Sequence, residues 1–179
     1  MEQTNRYNNG STSKLIDDFN SDFLAGIIDH KITQNISIKI PNTQDEWDKF
    51  HIISKKEVFS RIPDIEYDTN HTCFYDNKFC HFILNYGDQI AGMCIIEKLN
   101  KDNEWALRII ALDKPYQNKN IGGCFLEFIK TFIKSEGGQK IRAHANEMAF
   151  NFYKKHKFVH EKWEDSSINE GTIDVALKL

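Results

Sequence analysis

The sequence has little that is typical of a disulfide-bonded, metal-bound, membrane or nucleic-acid-binding protein. Its four cysteines form no C-x-x-C pair, so we predict neither a disulfide framework nor a zinc site. No apolar run approaches the roughly 20 residues of a membrane span. The chain begins without the hydrophobic core of a signal peptide, and its net charge of −3 gives no general attraction to nucleic acid or anionic membranes. We therefore expect a cytoplasmic protein that binds no metal, nucleic acid or membrane.

What is present is the composition of one globular domain. The 179 residues are 40% hydrophobic and 27% charged, which suits a single packed core. Residues 1–35 are predicted to be an N-terminal extension, with a mobile Asn/Ser/Thr-rich start followed by one or two short helices over residues 14–30. Residues 36–179 carry strand and helix patterns without a linker, so we predict one domain there.

The first part of this domain has the patterns of a strand, a helix and a hairpin. Residues 36–40 alternate between apolar and polar positions, which predicts a strand. A helix that carries Trp47 follows, with Asn42 or Thr43 as its N-cap. Two further strands meet at a Gly-Asp pair at positions 87–88, which predicts a hairpin turn.

A strand, a polar turn and a helix follow in the stretch 105–136. The strand is a continuous apolar run, the turn spans residues 113–120, and the helix has one broad apolar face and stops at a Gly-Gly pair. The first turn of a helix carries unpaired N–H groups and partial positive charge, and Gly122 and Gly123 leave its backbone uncovered. The stretch therefore predicts a phosphate site, and an ordinary strand–helix connection is the alternative.

The remaining segments complete one sheet. Residues 140–145 predict a strand, residues 148–156 a short helix, and residues 158–163 and 173–179 two last strands. The predicted fold class is α/β (α+β): a single domain with a mixed, mostly antiparallel sheet and helices on both faces.

The turn and a later segment resemble two motifs of the GNAT superfamily of acyl-CoA-dependent N-acyltransferases. Gln117-x-x-Asn120-x-Gly122 is similar to the family's Gln/Arg-x-x-Gly-x-Gly/Ala motif, with Asn120 in place of the usual Gly. Asn adopts left-handed backbone angles readily, so the turn can form. Asn146 and Tyr153 lie one helix and one strand later and match the second signature, in which a strand ends in Asn and a short helix carries Tyr.

The resemblance covers residues 36–179 and implies coenzyme A as the ligand of the turn. In the family, the loop amides hold the pyrophosphate, and the backbone of the preceding strand holds the pantetheine arm and the thioester oxygen. The cofactor-binding residues that it implies here are Ile110, Ala111, Leu112, Gln117, Asn118, Lys119, Asn120, Ile121, Gly122, Gly123, Asn146 and Tyr153.

Tyr153 is also the general acid that the resemblance implies. A phenol with a pKa near ~10 keeps its proton at neutral pH and can donate it to a departing thiolate. The alternative is a packing Tyr on an amphipathic helix, which needs no catalytic role.

The general base is less well defined. In some members of the family a Glu on the strand before the turn takes the proton of the amine, and Glu104 is the candidate here, although Ala106 occupies the closer equivalent. Glu66, Asp68 and His144 are alternatives, and a chain of water molecules is another. Glu66 and Asp68 form either an acidic rim that attracts a cationic amine or an ordinary solvated surface.

The sequence thus predicts an acetyl-CoA-dependent N-acetyltransferase that acts on a primary amine of a small molecule or peptide, by direct attack in a ternary complex. One alternative is a protein of the same fold that binds CoA or a partner without turnover. Another is an interaction module that assembles through residues 14–30. We expect acetyl-CoA and an amine as partners, the amine being cationic if the acidic rim attracts it, and a homodimer stays open.

Overall fold

The computed structural model describes residues 35–62, 65–100, 103–164 and 171–179. They form a seven-stranded sheet in the order β1-β2-β3-β4-β5-β7-β6. The strands are β1 (Ile36–Lys39), β2 (Phe79–Tyr86), β3 (Gln89–Lys98), β4 (Glu104–Leu112), β5 (Lys140–Ala145), β6 (Val159–His160) and β7 (Ile173–Lys178). The α-helices of this part of the chain are α1 (Gln44–Glu57), α2 (Ile121–Ser135) and α3 (Glu147–Lys155). The helices predicted over residues 14–30 lie outside the described residues.

Neighbouring strands are antiparallel everywhere in this sheet except between β4 and β5. Strands β1 to β4 follow one another in chain order, and β5, β7 and β6 form a second antiparallel group. A parallel pair needs a crossover connection, and α2 provides it. The predicted fold class is confirmed. No helix among the described residues has the length and apolar character to cross a membrane.

Helices cover both faces of the sheet, as predicted. On one face, Phe128 and Phe132 of α2 pack edge-on against Phe82, with ring centroids 5.0 Å apart in each case, and Tyr153 of α3 joins the same core. On the other face, α1 covers a smaller core. Its buried members are Trp47, Phe50, Ile53, Phe74, Ile83, Met93 and Ile95.

The helix ends follow from local sequence. Thr43, rather than Asn42, caps α1: its Oγ1 accepts from the Glu46 N–H (3.3 Å), and the Glu46 carboxylate accepts from the Thr43 N–H (3.2 Å). The helix α2 ends at the glycine pair. Gly137 adopts a φ of 77°, and the Gly138 N–H donates to the Ile133 carbonyl in the last turn of α2 (2.8 Å). The predicted glycine stop is therefore confirmed.

The strand predicted over residues 158–163 is shorter than expected, because only Val159–His160 pairs with β7. Further along, the Trp163 N–H donates to a side-chain oxygen of Asp174 (3.3 Å) instead of a backbone carbonyl of β7. The ladder therefore stops after two residues, and Trp163 is left close to β5 and β7.

Candidate active site

The candidate site lies where β4 and β5 separate. The two strands share three residue pairs, the last of which joins Ala106 to Arg142. Beyond it, residues 107–112 stay paired with β3 but not with β5. A shift of register opposite Ile95–Ile96 makes a bulge at Arg108, and bulges bend the strand that carries them. A cleft of about 1710 Å³ opens at this point.

The cleft has two halves with different walls. The turn half is lined by the end of β4, by the turn at Gln117 and by Tyr153 on α3. The outer half is lined by parts of the segment 58–79, by β3 and β4 side chains, and by His144 and Trp163. Among the described residues, no group of three or more His, Cys, Asp or Glu side chains could hold a metal ion.

The turn after β4 presents backbone N–H groups to the cleft. Lys114–Tyr116 is a short 3-10 helix capped by Asp113, and Asn118 and Asn120 both adopt left-handed angles, with φ of 60° and 59°. The Asn120 side chain makes no capping bond to α2. Within the described part of the chain, the N–H groups of residues 118–122 donate to no acceptor. These amides lie at the positive end of the α2 dipole, which is where an anion binds best.

Gly122 and Gly123 keep side chains away from these amides. A Cβ at position 122 would lie 3.4 Å from the Phe152 ring, and one at position 123 would lie 3.1 Å from the His156 ring. A Cβ at position 123 would require a small shift of the His156 ring, and a longer side chain at either position would occupy the space beside the turn. Both glycines line the cleft, so a diphosphate has access to the backbone there.

Most of the predicted cofactor-binding residues line the cleft. Those that do are Ile110, Ala111, Leu112, Gln117, Asn118, Asn120, Gly122, Gly123, Asn146 and Tyr153. Lys119 and Ile121 are outside its lining, since Lys119 is exposed to solvent and Ile121 is buried in the core. Ile121 can therefore offer a ligand only its backbone.

Tyr153 is enclosed on the α3 side of the cleft. It is 5% exposed and packs edge-on against Phe158, with ring centroids 5.1 Å apart. Burial raises the pKa of Tyr153 far above the ordinary value for a phenol, and Cys94 adds to this. The hydroxyl makes no hydrogen bond to the described residues. The side chain therefore keeps its proton and can donate it to a ligand.

Asn146 connects β5 to α3. Its Oδ1 accepts from the Ala149 N–H (2.8 Å), so Asn146 is the N-cap of α3. The same residue lines the cleft. The side chain therefore caps α3 through its oxygen, and its NH2 group is compatible with a contact to a ligand.

In the outer half, His144 on β5 is held by Asp174 on β7. His144 Nδ1 lies 2.9 Å from Asp174 Oδ1 and 3.2 Å from the indole nitrogen of Trp163, whose ring is tilted against the imidazole with centroids 4.7 Å apart. One nitrogen cannot both donate to the carboxylate and accept from the indole. We assign the proton to Nδ1, because a carboxylate is the stronger partner. Nε2 is then the basic nitrogen of the ring.

Arg108 brings positive charge to the bulge. Its Nε and Nη2 lie 2.6 Å and 2.5 Å from the same carboxylate oxygen of Glu97, and Lys78 lies 3.0 Å from the other oxygen. The guanidinium also lies over the Trp163 ring, 5.5 Å from its centroid. Glu97 is buried, and its ion pairs with Arg108 and Lys78 compensate for the removal of its carboxylate from water.

Glu104 lies at the closed end of the β4–β5 pair and is not part of the cleft lining. Its carboxylate accepts from Arg142 Nε (2.5 Å) and Nη2 (3.1 Å). The hydrogen bond from Arg142 holds the pKa of Glu104 below its usual range. A carboxylate that an arginine keeps ionised is a weak proton acceptor. This position does not favour the base role predicted for Glu104.

The acidic residues of the rim are exposed. Glu66 and Asp68 line the outer half and face solvent, whereas Tyr67 between them turns inward. The Tyr67 hydroxyl lies 2.6 Å from His51 Nδ1 on α1, and burial raises its pKa to about 12. Tyr67 therefore fixes this segment to α1 and leaves the two carboxylates at the mouth of the cleft.

Sequence reasoning missed Asp174, Trp163, Arg108 and Glu57 as parts of the site. Asp174 stands opposite His144 only because of the antiparallel register of β5 and β7. The available signal was an Asp inside an otherwise apolar alternation, which does not identify its partner. The others depend in the same way on tertiary contacts.

Comparisons with known proteins point to one family. The model of the acetyltransferase (GNAT) family matches residues 43–158. Among solved structures, the PaiA N-acetyltransferase of Thermoplasma acidophilum in complex with coenzyme A is 14% identical, with a TM-score of 0.62 over 80% of this chain and 99% of that chain. The ribosomal-protein-S18-alanine N-acetyltransferase of Escherichia coli is 18% identical, with a TM-score of 0.62 over 80% of this chain and 93% of that chain.

A third structure is Naa50 of Arabidopsis thaliana in complex with the bisubstrate analogue CoA-Ac-MVNAL. It is 16% identical, with a TM-score of 0.61 over 81% of this chain and 99% of that chain. At such identities the likeness shows a shared fold. A comparison with curated proteins gave no match.

Proposed function

The chain belongs to the GNAT family of acetyltransferases, and we propose that it transfers the acetyl group of acetyl-CoA to a primary amine of a small molecule or peptide. The observation that carries this proposal is the early end of the β4–β5 ladder. It opens a path from the amides of residues 118–122 to Tyr153 on one side and His144 on the other. Direct attack within a ternary complex is the mechanism that such a through-going cleft supports.

In this proposal, the turn half of the cleft is the half that binds the cofactor. The amides of residues 118–122 would hold the diphosphate, and the backbone of Ile110, Ala111 and Leu112 on the β5 side would hold the pantetheine arm. Alternate residues of a strand direct their N–H and C=O groups to opposite sides, so part of this backbone faces the gap that β5 leaves. The bound cofactor supplies a thioester with an electrophilic carbonyl.

His144 is the proposed general base. It lines the outer half, where the acceptor would enter, and Asp174 fixes its ring through Nδ1. A cationic acceptor first releases one proton to solvent and becomes a neutral amine. Its nitrogen then attacks the thioester carbonyl carbon, the N–C bond forms and the C–S bond breaks, and the His144 ring takes the second proton that the nitrogen loses. A base oriented by a carboxylate is a recurrent catalytic arrangement.

Tyr153 is the proposed general acid, because its phenol lines the cofactor half and stays protonated at neutral pH. As the C–S bond breaks, the electron pair stays on sulfur, and the Tyr153 O–H donates to it. The proton on His144 returns to the phenolate through solvent, so that one amine and one thioester give one amide and one thiol. The buried phenol is a weak acid, which makes donation at the transition state its main contribution.

The acceptor is proposed to be a primary amine that enters past the acidic rim. Glu66 and Asp68 are exposed at that mouth, where they favour a cationic amine over a neutral one during approach. The solved relatives that act on an alanine of a ribosomal protein or bind a CoA-peptide analogue make a peptide amine a reasonable first test.

The test has two stages. Calorimetric titration with CoA should show saturable binding, and acetyl-CoA with a panel of small amines and N-terminal peptides should release free thiol. Binding without thiol release from any acceptor would favour a CoA-binding protein without turnover, an alternative that Asn120 at the usual Gly position supports. Failure of CoA to bind at millimolar concentration (weaker than about −4 kcal/mol) would contradict both.

A further inference from the structure

We infer that Glu57 is a positioning residue: its carboxylate connects the outer half of the cleft to the turn that would hold the cofactor. The inference rests on the proposed function, since it concerns how the same cleft is shaped. Glu57 is the last residue of α1, and its side chain lines the cleft at 4% exposure. A carboxylate removed from water needs donors, and those that it has lie on both sides of the cleft.

One oxygen of Glu57 serves both sides. Its Oε2 accepts from Gln117 Nε2 at 3.0 Å, in the turn after β4, and from Arg61 Nη2 at 3.1 Å, in the short helix Phe59–Arg61 of the outer half. Because the two donors share an acceptor, displacement of one shifts the carboxylate and weakens its bond to the other. The donors do not bond to each other, so Glu57 is the link between them.

Gln117 transmits this contact to the turn. Its Nε2 also donates to the Leu112 carbonyl at 2.8 Å, which closes the chain from the end of β4 to the start of the amide-rich segment. The position of residues 118–122 therefore depends on how Gln117 is held. Lys56 makes a second connection, since its Nζ lies 3.4 Å from Glu57 Oε1 and 2.7 Å from Asp113 Oδ1. This connection reaches only the start of the turn, and the lysine is exposed, where ion pairs contribute little.

Arg61 gives the link its other end. It is half-exposed and lines the outer half, and it contacts none of the predicted cofactor-binding residues in a hydrogen bond or ion pair of the described chain. An effect of Arg61 on CoA affinity that is transmitted by the turn therefore passes through Glu57. Coupling between two sites is reciprocal, so binding of an acceptor beside Arg61 would also change the affinity for CoA.

The experiment measures the CoA dissociation constant of the full chain by calorimetry, with CoA itself as the probe. Glu57→Gln keeps the size of the side chain but has one acceptor oxygen and no charge, so we expect affinity to fall about 10-fold. Gln117→Ala should cause a similar loss, and the double variant should be no weaker than either single one. The matched control is Lys55→Gln, which removes an exposed charge at the same end of α1.

Arg61→Gln provides the decisive comparison. It should weaken CoA binding about 3-fold in the wild-type chain and not at all in the Glu57→Gln or Gln117→Ala chain, because the link is already broken there. The melting temperature of each variant should stay near that of the wild-type chain, whereas general misfolding would lower it together with CoA affinity.

The outcomes separate this inference from the proposed function. Unchanged CoA affinity in Glu57→Gln overturns the inference, and so does an Arg61→Gln effect that persists after Gln117 is removed. If Glu57→Gln does not fold, the Arg61 and Gln117 variants carry the same comparison alone. Absence of CoA binding by the wild-type chain would instead contradict the proposed function.

Discussion

His144 and Asp174 face each other across β5 and β7, with Nδ1 and Oδ1 2.9 Å apart. If this pair supplies the base, His144→Gln should lower kcat about 100-fold with little change in the KM for acetyl-CoA. Asp174→Asn should lower it less, since it removes only the orientation of the ring, and the double variant should resemble His144→Gln. Thiol release at saturating acetyl-CoA measures this. His160→Gln, on the exposed strand β6, is the control, and full activity in His144→Gln would contradict the assignment.

Tyr153→Phe tests the acid. The substitution keeps the buried ring and its contact with Phe158, so the fold and CoA affinity should be preserved. It removes the O–H that stabilises the departing sulfur, and kcat should fall about 100-fold. Tyr75→Phe, at an exposed position, makes the same chemical change away from the cleft and should have no effect. Equal turnover in the two variants would show that Tyr153 only packs.

Asn120 tests the left-handed turn. Asn120→Ala places a residue without local polar contacts at a φ of 59°, and it should lower the free energy of unfolding by roughly 1 kcal/mol. Asn120→Gly has no steric conflict at that angle and should bind CoA within about 2-fold of the wild-type chain. Chemical denaturation and calorimetry check the two effects. A Gly variant that binds CoA far more tightly would mean that Asn120 obstructs the phosphate site.

Glu104→Gln should affect stability rather than catalysis. Loss of the charged bond to Arg142 should lower the free energy of unfolding by roughly 1–2 kcal/mol at neutral pH, with kcat unchanged. The folded-state pKa of Glu104 is lowered by Arg142, so its contribution is present above the unfolded pKa and is lost as pH falls through the folded one. Urea unfolding of both chains at neutral and acidic pH should therefore converge on the acidic side. A large loss of kcat would restore Glu104 as a base.

His81 should make the fold sensitive to acid. It is surrounded by Trp47, Phe50 and Phe74, its Nε2 is buried without a hydrogen bond, and burial lowers its pKa to about 4. Between pH 6.5 and about 4, His81 is protonated in the unfolded chain but not in the folded chain. The free energy of unfolding therefore falls as pH falls through this window. The loss should reach roughly 2–4 kcal/mol. His81→Phe should remove this part of the pH dependence in unfolding measurements, and an unchanged slope would contradict it.

The elements of the fold were readable from the sequence where local chemistry determines them. The N-cap at Asn42 or Thr43, the hairpin at Gly87 and the glycine stop after α2 are local signals, and each corresponds to an observed element end. The strand at Val159 was overestimated because its end depends on a side chain of β7 that is distant in sequence.

The two halves of the site were not equally predictable. The turn is continuous in sequence, so its resemblance to the family motif implied most of the residues that line it. The outer half is assembled from segments far apart in the chain, so the resemblance led to Glu104 as the base and left His144 as one of several alternatives. Only the register of β5 and β7 identifies Asp174 as the partner of His144, and only the tertiary structure joins Glu57 to Gln117.

The parallel pair of the described sheet, β4 and β5, is also where the cleft opens. Parallel pairing is somewhat less stable per residue than antiparallel pairing, and here it is limited to three rungs. The opening therefore lies between two antiparallel groups of strands, β1 to β4 and β5-β7-β6, where an incomplete ladder loses the fewest stable backbone pairs. Each group keeps its own antiparallel backbone bonds, so the opening between β4 and β5 forms without breaking either of them.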